Sequence, residues 1–538
     1  MSANNDQVFV NGKIFTGRNE TEFMSAFKVA DGKFAWIGDA REVNDARVID
    51  LEGRTVLPGF IDIHTHPTYV AMTVDAVPCT VPVVKNIPEM VAALKRHRNF
   101  GKGPDDWIEG WGYDESKLTE HRTPTTQDLD QVSTTQPVYV LRSDAHSGIC
   151  NTRALQIAGI TKDTPDPDGA YFGRYDNGEP NGILQEHGAN NAVLRAKAVE
   201  DYATKVAGLA ATAQHYNERG IVAVTDMMAL TRPFDNLDVY RDAERKGFRQ
   251  QAALYFSWLD LATNPIPDLT EEHRAGRTKF AGIKLFADGS VSGRTAWMCK
   301  PYRNSGCGYS TLSDDDLNAG YEWARRNRVQ AAVHAMGDQA LQRVIDFFVD
   351  KEPWLDPGMP SVRLEHATLL SEAQMRQMNE SPMTFGASTQ IIFFFAEYDS
   401  YSQNLADEEF QRAYPVRSFY NNIEHLGLSS DAPATTWADP DNVFVSIKAA
   451  VTRKAYNGAD IVPEQSITVP QAVLLYTSRP ARLARFEGSL GQIERGFEAS
   501  FVVLDRDIFT IDADGLDQTQ VQQTWIQGEK VYDRAGSG

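Results

Sequence analysis

Short apolar runs alternate with segments of helical periodicity through the middle of the chain. The strand-like runs fall at residues 59–66, 220–226, 249–256, 282–288, 330–335, 362–367, 383–388 and 426–431. Between them, 199–219, 313–328 and 338–351 repeat apolar positions at the three-to-four spacing of an amphipathic helix. The segment from 313 opens on Ser313 followed by Asp314, Asp315 and Asp316, a hydroxyl cap with first-turn carboxylates. Eight such β-α units in one run predict an α/β fold, a (β/α)8 TIM barrel over residues 59–487. The first connection breaks the rhythm. About residues 67–198 form a large insertion with a strand-like run of its own at 137–142, expected to cover one mouth of the barrel.

The two ends of the chain share a different pattern. Residues 8–58 and 489–538 contain short β-type alternations broken by glycine. Asn11-Gly12 and Asp31-Gly32 sit between such alternations and read as hairpin turns. Neither end carries enough apolar surface to fold alone. The expectation is one small composite β-sandwich built from residues 1–58 and 488–538.

Composition narrows the function classes. The 538 residues carry 53 Lys and Arg against 73 Asp and Glu, a formal charge of −20, which argues against a general nucleic-acid binder. Four cysteines without CxxC spacing make a disulfide framework or thiolate zinc site an unsuitable reading. The first fifteen residues lack the basic start and apolar core of a signal peptide, and no apolar stretch approaches the ~20 residues of a membrane helix. A cytoplasmic protein acting on a small molecule, without nucleic-acid or membrane partners, is expected.

In a TIM-type barrel the chemistry gathers at the C-terminal ends of the strands. The first run ends in His64-Thr65-His66, and residues two apart on a strand point the same way. The fourth run carries Lys284, the fifth ends at His334, the sixth at His366 and the eighth at Asp431. Only 11 histidines exist, and four fall at predicted strand ends. Any one of them alone reads as a hydrogen-bonded structural residue, and a lone Asp after two serines as a helix cap. Their joint occurrence in one barrel points to a divalent cation site, since imidazole nitrogens and a carboxylate oxygen are what zinc or a similar ion takes. Lys284 shares a strand face with Phe286 and Asp288. A buried ammonium beside a dication is disfavoured. The lysine is therefore a neutral amine, a carbamate able to bridge two metals, or a structural partner of Asp288.

Several stretches carry a family resemblance. The run from Val56 to His66, reading VLPGFIDIHTH, resembles the opening signature of the amidohydrolase superfamily. Ser143-Asp144-Ala145-His146-Ser147, the stretch 282–296 (GIKLFADGSVSGRTA), His334-Ala335-Met336-Gly337-Asp338, Arg363-Leu364-Glu365-His366-Ala367 and Ser429-Ser430-Asp431-Ala432-Pro433 resemble its YtcJ-like (amidohydrolase-3) branch, which includes N-substituted formamide deformylase. The resemblance spans about residues 8–530. It implies that His64, His66, His334, His366 and Asp431 bind metal, with Lys284 a carboxylated bridge between one or two Zn2+ or other divalent ions. It also implies a metal-dependent hydrolase of a C–N, amide-type bond, with Asp431 taking a proton from the attacking water and delivering it to the leaving nitrogen. His146 and Arg294 lie in the matched stretches and are candidates for orienting substrate or stabilising the oxyanion, a salt bridge from Arg294 to Asp288 being an equal reading. Two departures stand out: Ala145 where relatives often carry Gly, and 495–505 (RGFEASFVVLD) where many read PGKLADLVVLD.

Asp288, Trp297 and Phe394 are the candidate substrate contacts. Phe394 falls in the apolar run 391–398 after the seventh strand, and Tyr69, Trp297, Tyr302 and Trp437 lie on predicted loops, which suits a hydrophobic amide. The alternative for these aromatics is packing against the insertion or a dimer partner. Glu186 and His187 read more simply as surface residues. Two other functions compete: a mononuclear deaminase acting on a heterocycle, for which the glutamate expected soon after His334 is missing, and a non-catalytic metal-binding barrel. The oligomeric state stays open, homodimers and larger assemblies being frequent in this branch.

Overall fold

The computed structural model describes residues 6–42, 48–74, 76–143, 147–167, 170–197, 201–266 and 268–536, the side chain of His187 excepted. Its largest sheet is a run of eight parallel strands: β1 (Phe60–Thr65), β2 (Ile221–Ala229), β3 (Gln251–Ser257), β4 (Thr278–Phe286), β5 (Gln330–Ala335), β6 (Val362–His366), β7 (Phe385–Thr389) and β8 (Leu426–Leu428). Neighbours in the sheet follow chain order from β1 to β8, the arrangement of a TIM barrel. The eight strand-like runs of the sequence correspond to these eight strands. All residues of β1, β3, β6, β7 and β8 are buried, which is why they read as short apolar runs rather than as alternating ones.

The seam between β8 and β1 is closed by backbone groups from elsewhere. Leu428 N–H donates to Leu475 O at 2.9 Å and Ile61 N–H to Tyr476 O at 2.8 Å. At the C-terminal end Asp431 N–H donates to His64 O at 2.7 Å, directly tying the β8 loop to the end of β1. Helices such as Asp314–Asn327, capped by Ser313, and Asp338–Phe348 pack on the outer face.

Strands from the two chain ends share one six-stranded sheet, in the order 23–24, 13–15, 55–58, 501–504, 521–526, 529–533. A four-stranded sheet of 33–38, 26–30, 7–10 and 48–50 accompanies it. Phe9 joins them, with ring centroids 4.7 Å from Phe27, 5.2 Å from Phe501 and 5.1 Å from Trp525. Asp31 (φ 50°) and Gly32 (φ 73°) make the tight turn of the hairpin 26–38. Asn11-Gly12 differs from the expectation. The strands on either side of it lie in different sheets, so it is a crossover rather than a hairpin. A Cβ on Gly12 would fall 2.6 Å from Leu51, so the close passage, not a two-residue loop, is what requires glycine there.

The chain divides into two compact units. One comprises residues 1–67, 209–431 and 441–538, and the other 68–208 with 432–440. The second unit holds a mixed six-stranded sheet in the order 171–174, 180–185, 148–150, 138–142, 108–113, 77–78. Its core includes Met90, Leu94, Ile108, Val138, Val140 and Ile149. Among the described residues no helix is long and apolar enough to cross a membrane.

Candidate metal centre

Four imidazoles converge at the C-terminal ends of β1, β5 and β6. Ring centroids are 5.7 Å apart for His64 and His66, 4.8 Å for His64 and His366, and 4.3 Å for His334 and His366. Strand alternation aims Lys284 the same way as Phe286, and Ala332 the same way as His334. His366 gets there differently. With φ 68°, followed by Ala367 at 49°, it leaves the strand in the left-handed region, where non-glycine residues are strained. Asp431 also sits there, at φ 54°. Consecutive left-handed residues at strand ends are the kind of stored strain that clusters at functional sites.

Asp431 is the hub. Its Oδ1 lies 2.8 Å from His66 Nε2 and 3.4 Å from His64 Nε2, and its Oδ2 lies 3.9 Å from His366 Nδ1. Asp62 sets the loop that carries it. Asp62 Oδ1 accepts Ser430 N–H at 3.2 Å and His64 N–H at 3.3 Å, and Oδ2 accepts the Ser430 hydroxyl at 2.5 Å. Burial pushes the Asp62 carboxyl up to about 7. Lys284, fully buried, has Nζ 3.4 Å from His64 Nε2 and 5.2 Å from the Phe286 ring. Burial lowers its amine to about 8.

Desolvation, reinforced by the nearby Lys284 charge, lowers His334 to about 3 and holds His64 well below the ordinary imidazole range. Burial does the same to His366, helped by His334 and His64. All three are therefore neutral at neutral pH and able to offer a lone pair.

The side chains fit a divalent cation. One donor atom each from His64, His66 and Asp431 lie within 4.8 Å of one another. A tetrahedron of ~2.1 Å bonds has edges of about 3.4 Å, close to the observed 2.8 and 3.4 Å separations. His366 Nδ1 is buried without a hydrogen-bond partner, an orphan that an ion beside Asp431 Oδ2 would satisfy. His334 stands at the edge of this set, its Nε2 3.0 Å from Gly289 O and 3.5 Å from Asp288 Oδ1.

The candidate substrate contacts fare less evenly. Asp288 is already engaged: it accepts the N–H groups of Trp297 (2.9 Å), Met336 (3.0 Å) and Gly337 (2.8 Å). It braces two loops and is paired with neither Lys284 nor Arg294. Burial nonetheless raises its carboxyl to about 7. Trp297 is held through its backbone, its carbonyl accepting from Gln339 and Ala340, while its side chain is half-buried. Phe394 is a correction. It is fully buried among Phe410 (5.0 Å), Tyr401 (5.5 Å) and Tyr414 (5.7 Å), on the far side of its short helix. Its neighbour Phe393 faces the site, stacked on His366 at 6.0 Å and 20°. Arg294 is exposed in a turn at φ 57°. His146 lies outside the described residues, as does the side chain of His187. Glu186 is exposed at the start of helix Glu186–Leu194.

Sequence reasoning gave no role to Glu365 and Arg363, both fully buried beneath the imidazoles. Glu365 Oε2 lies 2.6 Å from His64 Nδ1. Strand parity was the available signal: residues 363 and 365 alternate onto one face of β6, and a charged pair on the inner face of a barrel has no solvent to meet.

A parallel barrel with a histidine- and carboxylate-lined mouth defines the class as a metal-dependent hydrolase of the TIM-barrel type. The Amidohydrolase family model matches residues 47–532, and the chain belongs to this family of hydrolases acting on C–N bonds. It is 28% identical to N-substituted formamide deformylase of Arthrobacter pascens, over 100% of each chain. It is also 28% identical to the putative amidohydrolase YtcJ of Bacillus subtilis (strain 168), over 97% of this chain and 99% of that one. An uncharacterized metal-dependent hydrolase from Pyrococcus horikoshii OT3 superposes with a TM-score of 0.74 at 25% identity, covering 95% of this chain and 99% of the other.

Proposed function

We propose that this amidohydrolase cleaves the amide-type C–N bond of a hydrophobic small molecule, an N-substituted formamide or a related N-acyl amine. The observation that carries the reading is the convergence of three neutral imidazoles, His66, Lys284 and Asp431 at one end of the barrel. Full-length similarity to a formamide deformylase supports the substrate class. The stacked Phe393 and the Phe286 ring, 5.6 Å from His334, supply apolar walls suited to an N-alkyl or N-aryl group.

His64, His66 and Asp431 would hold one divalent cation, zinc being the best match to their donors. His334 and His366 would hold a second, with Lys284 shared between the two as a carbamate. That form removes the conflict between a buried ammonium and a neighbouring dication. A divalent ion bound here supplies an acidified water and polarises a carbonyl oxygen. The chain's own residues do the rest. Asp431, whose backbone is pinned to His64 O, accepts the proton of the attacking water at a carboxylate oxygen and returns it to the departing nitrogen. Asp62 and Ser430 keep that carboxylate in place. The sparse, unpaired thiols, all four free, support a reducing cytoplasmic setting.

The test is turnover of aryl and alkyl formamides by metal-replete protein, with Asp431→Asn alongside. The amide cannot take up the water proton, so kcat falls by about 10²–10⁴ while the thermal midpoint stays near that of the parent. A variant that keeps a near-parental rate removes Asp431 from proton transfer.

A further inference from the structure

A chain of buried polar side chains runs through the barrel interior below the site. The Tyr255 hydroxyl donates to Gln330 Oε1, and Arg363 Nη1 donates to that hydroxyl at 2.8 Å. Arg363 Nε donates to Glu365 Oε1 at 2.8 Å, while Nη2 reaches Glu365 Oε2 at 3.3 Å and Ile63 O at 2.8 Å. Glu365 Oε2 then meets His64 Nδ1 at 2.6 Å. Arg363 and Glu365 are 0% exposed and His64 1%. An ion pair this deep often adds no stability over apolar residues of the same volume, so stability of the fold is a weak reason for it.

Its geometry gives one. A carboxylate gripped from behind by a guanidinium has only acceptor capacity left. The imidazole hydrogen of His64 is therefore drawn to Nδ1, and the opposite nitrogen, Nε2, is left with a bare lone pair. That nitrogen faces Asp431 Oδ1 and Lys284 Nζ, each 3.4 Å away. Tyr255 and Gln330 hold Arg363 in turn, so the imidazole plane is fixed by four side chains from β3, β5 and β6.

Building on the metal-hydrolase reading, we infer that Glu365 is a positioning residue, which locks His64 in its Nδ1–H tautomer with Nε2 presented to the cation. Partners of this kind govern ligand orientation and basicity, and their loss weakens metal binding about 10- to 100-fold.

The experiment titrates chelator-stripped wild type, E365Q and the charge-balanced R363M/E365Q with Zn2+ against a chromophoric chelator. Both variants are expected to bind about 10- to 100-fold more weakly than wild type. The double variant carries the comparison if Glu365→Gln alone leaves Arg363 unpaired and the protein unfolded. A second readout needs no change at Glu365. In metal-free, 15N-histidine-labelled wild type, with His64→Gln identifying the signal, His64 is expected to show a protonated Nδ1 and a bare Nε2. An Nε2–H tautomer, or equal Zn2+ affinity in a folded variant, overturns the role of Glu365 and leaves the hydrolase reading standing. Wild type that takes up no divalent cation overturns the hydrolase reading itself.

Discussion

At the scale of single residues, burial moves the titration of several groups in and around the site. His64, His334 and His366 are all lowered, chiefly by burial. In metal-free protein they stay neutral when folded but take up protons when unfolded, at any pH between their folded values and about 6.5. The unfolded state then binds more protons, so their contribution to stability is lost as pH falls through that window. Asp62 and Asp288, raised to about 7, act with the opposite sign between about 4 and 7, because the folded state holds the extra proton. His334→Gln removes one of the three imidazoles. The stability of the chelated variant should depend on pH less steeply than that of the parent, by up to about 1.4 kcal/mol per pH unit between pH 4 and 6. Urea denaturation at a series of pH values reads this directly. Lys284→Ala removes a proposed ligand and also the ammonium that disfavours a cation. A net loss of bound metal per chain, by elemental analysis, is expected if the carbamate is the working form; an unchanged content would make the lysine a spectator, and a raised one would show it to be an ammonium that opposes the cation. The residue scale is also where the sequence misleads. His64, His66, His334, His366, Lys284 and Asp431 stand out because they end apolar runs. Nothing in the sequence shows how the short helix after β7 is turned: Phe393 and Phe394 are both aromatic and lie in the same run, and only packing against Tyr401, Phe410 and Tyr414 separates them.

At the scale of elements, what matters is how loops are fastened to strand ends. Eight buried strands are legible because each is a short apolar run between glycine-rich or polar breaks, and parallel pairing makes such runs nearly all apolar. Loops carry no comparable period. The connection from β4 to the helix Asp314–Asn327 illustrates this. It is organised by Asp288, whose carboxylate gathers N–H groups from Trp297 in its own loop and from Met336 and Gly337 in the next. A Cβ on Gly337 would lie 2.0 Å from Trp297 O, so the two loops are also in direct backbone contact. None of this is visible in a list of residue types, in which Asp288 reads as a substrate contact or as a partner of Lys284 or Arg294. Asp288→Ala leaves three backbone donors without their acceptor. The expected result is a loss of about 2–4 kcal/mol in urea denaturation, since each buried unsatisfied group costs about 1–3 kcal/mol before water or relaxation offsets part of it. Faster protease cleavage within residues 289–312 should accompany it, because the loop loses its anchor while the strand beneath it does not.

At the scale of the whole chain, the metal centre and the terminal sheets are linked through one short strand. Residues 55–58 pair with 501–503, Phe501 opposite Pro58 and Val503 opposite Val56, and Gly59 N–H donates to Ser500 O at 3.0 Å. The next residue, Phe60, begins β1, which ends at the ligand histidines. The C-terminal strands thus set where β1 enters the barrel, although they lie more than four hundred residues away in sequence. Phe501 is the keystone of this junction. It is fully buried, stacked on Trp525 at 5.4 Å and 10°, with its edge to Phe27 at 5.0 Å. Phe501→Ala empties that space at a cost of about 3–5 kcal/mol, measured on chelated protein. The metal reading makes a further demand on the same variant. A cation that binds only the folded state stabilises by RT ln(1 + [L]/Kd), so adding Zn2+ should raise the denaturation midpoints of parent and variant by the same free energy if Phe501 supports the fold without touching the site. A smaller zinc increment in the variant would mean that the entry of β1 governs how well His64 and His66 are aimed, and that the terminal strands belong to the metal centre as much as to the fold.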